Sequence, residues 1–280
     1  MLGHVFSDYF QNKFQLHGTL KNSLKTYKGL GSSKINYFDN VDVLKEYPLE
    51  KVMNDCNPHF IINCIGITKQ FANESNKESI HFINGEYPKI IEKICKQKKS
   101  KLIQLSTDCV FSGKKGNYTE EDIRDADDIY GISKIKGEIN DSDCCLTLRK
   151  STIGLEIKDK HGLIEWFLGQ KEIDGYKNAI FSGLTSYELA RVIEKIMIDF
   201  PKLHGLYNVS SNPINKYDLL KKLSFLLKRE TKIKPFEDFF CDRSLNSSRF
   251  TEKTGYNPPS WDRMLIELSR KILERDETKK

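Results

Sequence analysis

The 280-residue sequence predicts an α/β fold: a doubly wound parallel sheet, followed by a smaller, mostly helical C-terminal lobe. Three observations carry that expectation. Residues 60–67 read FIINCIGI, a near-continuous apolar run of the kind that fills a parallel strand covered on both faces. Apolar runs and amphipathic segments alternate as far as residue 150, the rhythm of βαβ units. Beyond it, helical periodicity joined by polar loops takes over.

Taken in order, residues 5–14 form the first helix and 15–19 the strand after it. Residues 60–67 are a fully buried strand. The next helix runs through Asn84-Gly85-Glu86-Tyr87-Pro88, although a proline inside a helix normally costs about 3 kcal/mol. Residues 102–105 and 147–149 are the following strands, and adjacent Cys144 and Cys145 read as small residues in a strand. The boundary between domains falls at 152/153. Helices are expected at 162–170, 186–200, 216–229 and 261–275, the last two capped by Asn215 and Ser260. Trp166 and Trp261 belong to the core, and the tail 276–280 to a disordered end.

Composition narrows the class. An apolar fraction of 38% with 30% charged residues suits a globular protein with a wet surface. No apolar run approaches the roughly 20 residues of a membrane helix. The start has no basic region followed by an apolar core, so a cytoplasmic chain is expected. Seven cysteines without a C-x-x-C pair or metal-like spacing to histidine read as reduced thiols, with no metal site. The net charge of +6 does not imply nucleic acid: the densest basic run, 93–101, ends a predicted helix, where cations complement the dipole.

The chemistry concentrates in two stretches, Ser106-Thr107-Asp108-Cys109-Val110-Phe111-Ser112-Gly113 and Tyr130-Gly131-Ile132-Ser133-Lys134. On a helix Tyr130 and Lys134 share a face. An ammonium near a phenol favours the phenolate and lowers a tyrosine from its ordinary value of about 10. Such a tyrosine exchanges a proton with a substrate oxygen near neutral pH, while Thr107 holds the same oxygen by hydrogen bond.

The run LSTDCVFSGKKGNYTEEDIRDADDIYGISKIKGE, 105–138, resembles the extended short-chain dehydrogenase/reductases, and within them the dTDP-4-dehydrorhamnose reductase branch. It carries STD-x-VF, the spaced Tyr118, Glu120 and Asp122, and YG-x-SK-x-x-GE; the Asn84-x-x-x-Pro88 oddity is similar to that branch as well. The resemblance implies a Rossmann-like domain over 1–152 and a substrate lobe over 153–280, with about 205–210 returning as a strand to the main sheet. Such a fold opens on a strand and a Gly-rich turn that meets the pyrophosphate. Met1-Leu2-Gly3-His4 is similar to the end of that motif, so Gly3 matches its last glycine and the first strand has no counterpart. That strand is central in the 3-2-1-4-5-6 order, and a gap between its neighbours is expected. Either the start is placed too late or the chain is a shortened, inactive one.

By resemblance, cofactor contacts fall on Gly3, Lys21, Asp39, Asn40, Cys64, Ile65, Gly66, Tyr130 and Lys134. Lys21, where an acid would favour NAD(H), favours the 2′-phosphate of NADP(H), with NAD(H) the other possibility. Substrate contacts fall on Lys69, Asp108 and Arg243; a guanidinium grips phosphate in a two-pronged way. Residues 178–185, running from a loop into a helix start, are a further place for an anion. The implied reaction is reduction of a keto group, at C4, of a nucleotide-linked deoxysugar in surface polysaccharide precursor synthesis. A nucleotide-sugar substrate is the implied partner, with no membrane or nucleic acid, and a homodimer is compatible. Thr107-Asp108-Cys109 lacks the glutamate of the 4,6-dehydratases, which disfavours elimination. An epimerase keeps the same Thr-Tyr-Lys set, and a regulatory subunit of methionine adenosyltransferase is among the relatives of this branch; both stay open.

Overall fold

The computed structural model describes residues 1–27, 30, 33–45, 49–157 and 161–277. In chain order the elements begin with helix α1 (Leu2–Phe10), strands β1 (Leu16–Thr19) and β2 (Ile35–Phe38), helix α2 (Leu49–Cys56) and strand β3 (Phe60–Asn63). A short helix α3 (Lys77–Ile80) passes through a π-helical turn (His81–Glu86) into α4 (Tyr87–Lys98), then come β4 (Lys101–Leu105), α5 (Ile129–Lys136), β5 (Cys145–Arg149) and β6 (Thr152–Ile153). Next are α6 (Leu163–Leu168), β7 (Glu172–Tyr176), β8 (Ala179–Phe181), β9 (Leu184–Thr185), α7 (Ser186–Asp199), β10 (Gly205–Asn208) and β11 (Ile214–Asn215). The chain closes with α8 (Lys216–Leu226), β12 (Lys232–Phe236), β13 (Cys241–Asp242), α9 (Ser248–Thr254) and α10 (Trp261–Glu277). Asp276 and Glu277 thus continue a helix where a disordered tail was expected, and 278–280 lie outside the described residues.

Two compact units emerge, and neither is a continuous stretch of chain. The first comprises Met1–Ser106, Asp127–Leu148 and Glu194–Leu206; the second comprises Thr107–Ala126, Arg149–Ile193 and Tyr207–Lys280.

In the first unit β1 and β2 form one parallel pair, while β3, β4 and β5 run parallel in a second sheet of order β3-β4-β5-β10. Its core packs Met53, Tyr87, Ile91, Ile94, Cys95, Leu102 and Cys145 together. The strand expected over 60–67 is shorter and less buried than its composition suggests. It ends at Asn63, and Phe60, Ile61 and Ile62 are only half-buried. Among the described residues β3 has a strand neighbour on its β4 side alone, so one edge and part of both faces stay uncovered. The expected cost of Pro88 is also absent. The π turn lets α4 restart at Tyr87, which puts Pro88 in a first turn, where a helix has no use for its missing N–H.

The second unit holds helices and three small sheets, pairing β6 with β9, β7 with β12, and β8 with both β11 and β13. Residues 178–185, read as a loop running into a helix start, carry β8 and β9, and α7 begins directly after them at Ser186. Strands of two to five residues are too short to display a period of two beside strongly periodic helices. Asn215 caps α8 as expected, its side chain accepting from the Asp218 N–H at 2.7 Å. Trp261 is buried, but Trp166 is 41% exposed, because the short α6 turns Ile164 and Phe167 inward instead. The Tyr118, Glu120 and Asp122 segment braces this unit. The Tyr118 ring stacks on Phe111 at 4.1 Å, Glu120 accepts the Asn208 N–H at 2.7 Å, and Asp122 accepts the Thr119 N–H at 2.7 Å.

Candidate active site

Helix α5 carries the Tyr-x-x-x-Lys pair. Asp128 caps its start, with Oδ1 accepting the Gly131 N–H at 2.9 Å and Oδ2 receiving the Lys69 ammonium at 2.7 Å. Lys69, expected to face substrate, pairs instead with the residue that caps α5. One turn separates the half-buried Tyr130 from the buried Lys134, so both side chains leave the same face. The Lys134 ammonium donates to the carbonyl of Leu105 at 2.8 Å, which ties the helix to the end of β4.

Beneath this pair lies a polar lattice. Asn84, in the π turn, takes the Ile67 N–H on Oδ1 and donates Nδ2 to the Ile67 carbonyl, both at 2.9 Å. The same Nδ2 reaches the Ser133 hydroxyl at 3.0 Å, and Ser133 donates to the Tyr130 carbonyl at 2.7 Å. Asn63 continues the pattern, donating to Gln104 at 2.8 Å and accepting the Ile65 N–H at 3.0 Å. Asn63, Gln104, Asn84 and Ser133 are all buried polar groups; the sequence reading named Asn84 and Ser133 within motifs but gave none of the four a role. Their one signal was polar side chains set into otherwise apolar runs, which must find partners once buried.

The expected cofactor residues gather in the first unit. A Cβ built on Gly3 would touch the Cys64 Cβ at 3.9 Å, so the start of α1 lies against the loop after β3. At Gly66 an added Cβ would press on Asn84 Oδ1 at 3.2 Å, while the glycine itself stays exposed. Asp39 accepts the Leu24 N–H at 3.1 Å and the Asn40 amide at 3.1 Å, and Asn40 holds φ 58° just after β2. Lys21 is 61% exposed, with its ammonium 3.8 Å from Asp42. Nearby, burial lowers His4 to about 4, with the charged chain terminus adding to the effect.

Thr107, Asp108 and Arg243 fall in the second unit. The Thr107 hydroxyl accepts the Cys109 N–H at 3.2 Å and donates to Asp108 Oδ1 at 3.1 Å. Arg243 uses its fork on main chain, donating Nε to the Phe111 carbonyl at 2.8 Å and Nη2 to that of Ser112 at 3.3 Å. The two-pronged geometry is present, but these carbonyls take part of it. Lys216 was not foreseen. Its ammonium sits 3.4 Å from the centre of the Phe181 ring. Desolvation lowers it to about 8, opposed by the charges of Asp108, Cys109 and Cys241. The available signal was a cation in the first turn of α8, where the helix dipole disfavours one.

A parallel sheet flanked by helices, with a Tyr-x-x-x-Lys helix tied to the end of a strand that Ser-Thr-Asp follows, defines a Rossmann-like α/β protein of the extended short-chain dehydrogenase/reductase class. Comparison with known proteins takes this one step further: the chain belongs to the RmlD substrate binding domain family, whose model matches residues 11–152. Methionine adenosyltransferase 2 subunit beta of Rattus norvegicus is 30% identical over 101 residues, 36% of this chain and 30% of that protein. The dTDP-4-dehydrorhamnose reductase of Burkholderia thailandensis is 29% identical over 102 residues, 36% of this chain and 34% of that one. The matched region spans about a third of the length of these two relatives. A crystal structure of dTDP-4-dehydrorhamnose reductase from Bacillus anthracis, in complex with NADP, superposes with a TM-score of 0.73 at 20% identity. It covers 91% of this chain and 99% of that one, a likeness of fold. Among the described residues no cluster of His, Cys, Asp and Glu could hold a metal ion, and no helix is long and apolar enough to cross a membrane.

Proposed function

We propose that this chain is an NAD(P)H-dependent reductase acting on a keto group, at C4, of a nucleotide-linked deoxysugar that feeds surface polysaccharide synthesis. The carrying observation is the pair on α5. Tyr130 and the buried Lys134 share one face of a helix anchored to the end of β4. Family membership and the reductase relatives support the same reading.

The residues present suit a dinucleotide. Gly3 lies against the Cys64 loop, Gly66 offers bare exposed backbone, and Asp39 and Asn40 close a turn beyond β2. Lys21 offers a cation for a 2′-phosphate, and its exposed, long pairing with Asp42 is weak enough to yield. When bound, NADPH would supply the hydride. Tyr130 gives its phenolic proton to the substrate oxygen as charge develops there, and the Lys134 charge stabilises the phenolate left behind. By the motif alone Thr107 is assigned a hydrogen bond to that oxygen, for which its one hydroxyl proton would leave Asp108.

Tyr130→Phe tests this. The variant should lose turnover of a dTDP-4-keto-6-deoxysugar by at least a hundredfold while NADPH titration stays within about twofold of wild type. Turnover near normal in that variant removes the assignment.

The match to the methionine adenosyltransferase subunit favours one other reading, a binding subunit without turnover. Stable co-purification with a larger enzyme, combined with no reduction of keto sugars by the wild-type chain, would decide for it.

A further inference from the structure

Lys216 is the observation that the proposed chemistry leaves unused. It opens α8, and its ammonium lies over the face of Phe181, on β8, at 3.4 Å from the ring centre. The charged or titratable groups around it are Asp108 and Cys109 of the turn after β4 and Cys241 of β13. Among the described residues its close partner is that ring, and no carboxylate comes within 4 Å to form an ion pair with it. An ammonium carries three N–H donors, and an aromatic face uses the charge without satisfying them. Lys216 is half-buried, so its ammonium is open to an incoming group, and partial desolvation lowers its affinity for the proton to about 8. A group kept in this condition fits a site completed by a ligand.

The neighbourhood indicates which ligand. Asp108 is buried, and one of its oxygens already accepts from Thr107. A phosphate beside that carboxylate would meet like charge. A sugar hydroxyl would not, because it accepts from an ammonium and donates to a carboxylate in the same contact. We propose that Lys216 is a sugar-binding residue, its ammonium donating to a hydroxyl of the deoxysugar whose own proton goes to Asp108. This rests on the nucleotide-sugar reading above and adds the residue that recognises the sugar rather than the nucleotide.

The test measures binding of dTDP-rhamnose and of dTDP alone, by calorimetry, to wild type, Lys216→Met and Lys216→Arg, with NADPH titration of each protein. Wild type should bind dTDP-rhamnose more tightly than dTDP. Lys216→Met should lose at least tenfold toward dTDP-rhamnose while dTDP and NADPH stay within twofold. Wild-type affinity for dTDP-rhamnose should fall as pH rises through about 8, and Lys216→Arg should keep the affinity without that fall. If wild type prefers the sugar and Lys216→Met binds it equally well, this inference fails and the reductase reading stands. An equal loss toward dTDP overturns it too. Wild type blind to the sugar overturns both.

Discussion

The Asn84 amide donates to the Ser133 hydroxyl at 3.0 Å and, by the same nitrogen, to the Ile67 carbonyl at 2.9 Å. One side chain thereby joins the loop after β3, the π turn and the helix that carries Tyr130 and Lys134. The Tyr-Lys helix is thus braced by a residue to which our proposal gives no contact with substrate or cofactor.

Replacing Asn84 by Ala should therefore act in two ways. Its buried partners at Ile67 and Ser133 lose their bonds, a loss of about 2–4 kcal/mol in urea unfolding. The freed Gly66 loop should also weaken NADPH binding in a fluorescence titration. Unchanged values of both would show that the lattice is incidental.

Close packing at the other end of α5 makes a second prediction. A Cβ added to Gly137 would lie 1.9 Å from the Asn84 carbonyl oxygen, a backbone atom that cannot swing aside. Gly255 has φ 66° but open space around it. Gly137→Ala should cost about 2–4 kcal/mol by overpacking, against about 1 kcal/mol for Gly255→Ala from backbone strain alone. Equal losses would mean that α5 gives way more easily than its contacts imply.

Lys216 makes stability depend on pH with a definite sign. Its folded value, about 8, lies below the ordinary 10.5, so between those values the unfolded chain holds the extra proton. Stability from this group accordingly rises with pH across that window, and below about 8 its partly desolvated charge is a cost. Lys216→Met should be more stable than wild type at pH 7 by on the order of 1–3 kcal/mol, with the gap narrowing toward pH 10. Denaturant unfolding at both pH values reads this directly, and a gap that widens would contradict the assignment.

The thiols can report on the loop after β3. Burial pushes Cys95 and Cys145 up to about 12, while Cys64 is exposed beside Gly3. Alkylation at pH 8 with mass-spectrometric readout should label Cys64 long before Cys95 and Cys145. Saturating NADPH should slow Cys64 at least severalfold. Protection elsewhere, with Cys64 unaffected, would move the dinucleotide away from this loop.

Much of the molecule was legible in the order of residues. The α/β alternation, the Tyr130–Lys134 spacing and the Asn215 cap are local, set by neighbours within one or two turns, and local patterns survive into the fold. The apolar run at 60–67 misled on burial, because composition records what a strand would bury and not which neighbours it has. The short strands β8, β9 and β13 were missed because their pairing partners lie far along the chain.

What the sequence by itself determined is the class of chain and the identity of its hydroxyl, phenol and ammonium groups, since motif chemistry is written in residue type and spacing. Only the tertiary structure decided where the polar partners fall. It set Asn84 against Ile67 and Ser133, Lys69 on the cap at Asp128, and Lys216 over Phe181. Those choices follow from burial, which demands a partner for every polar group it covers and draws that partner from wherever in the chain the packing brings it.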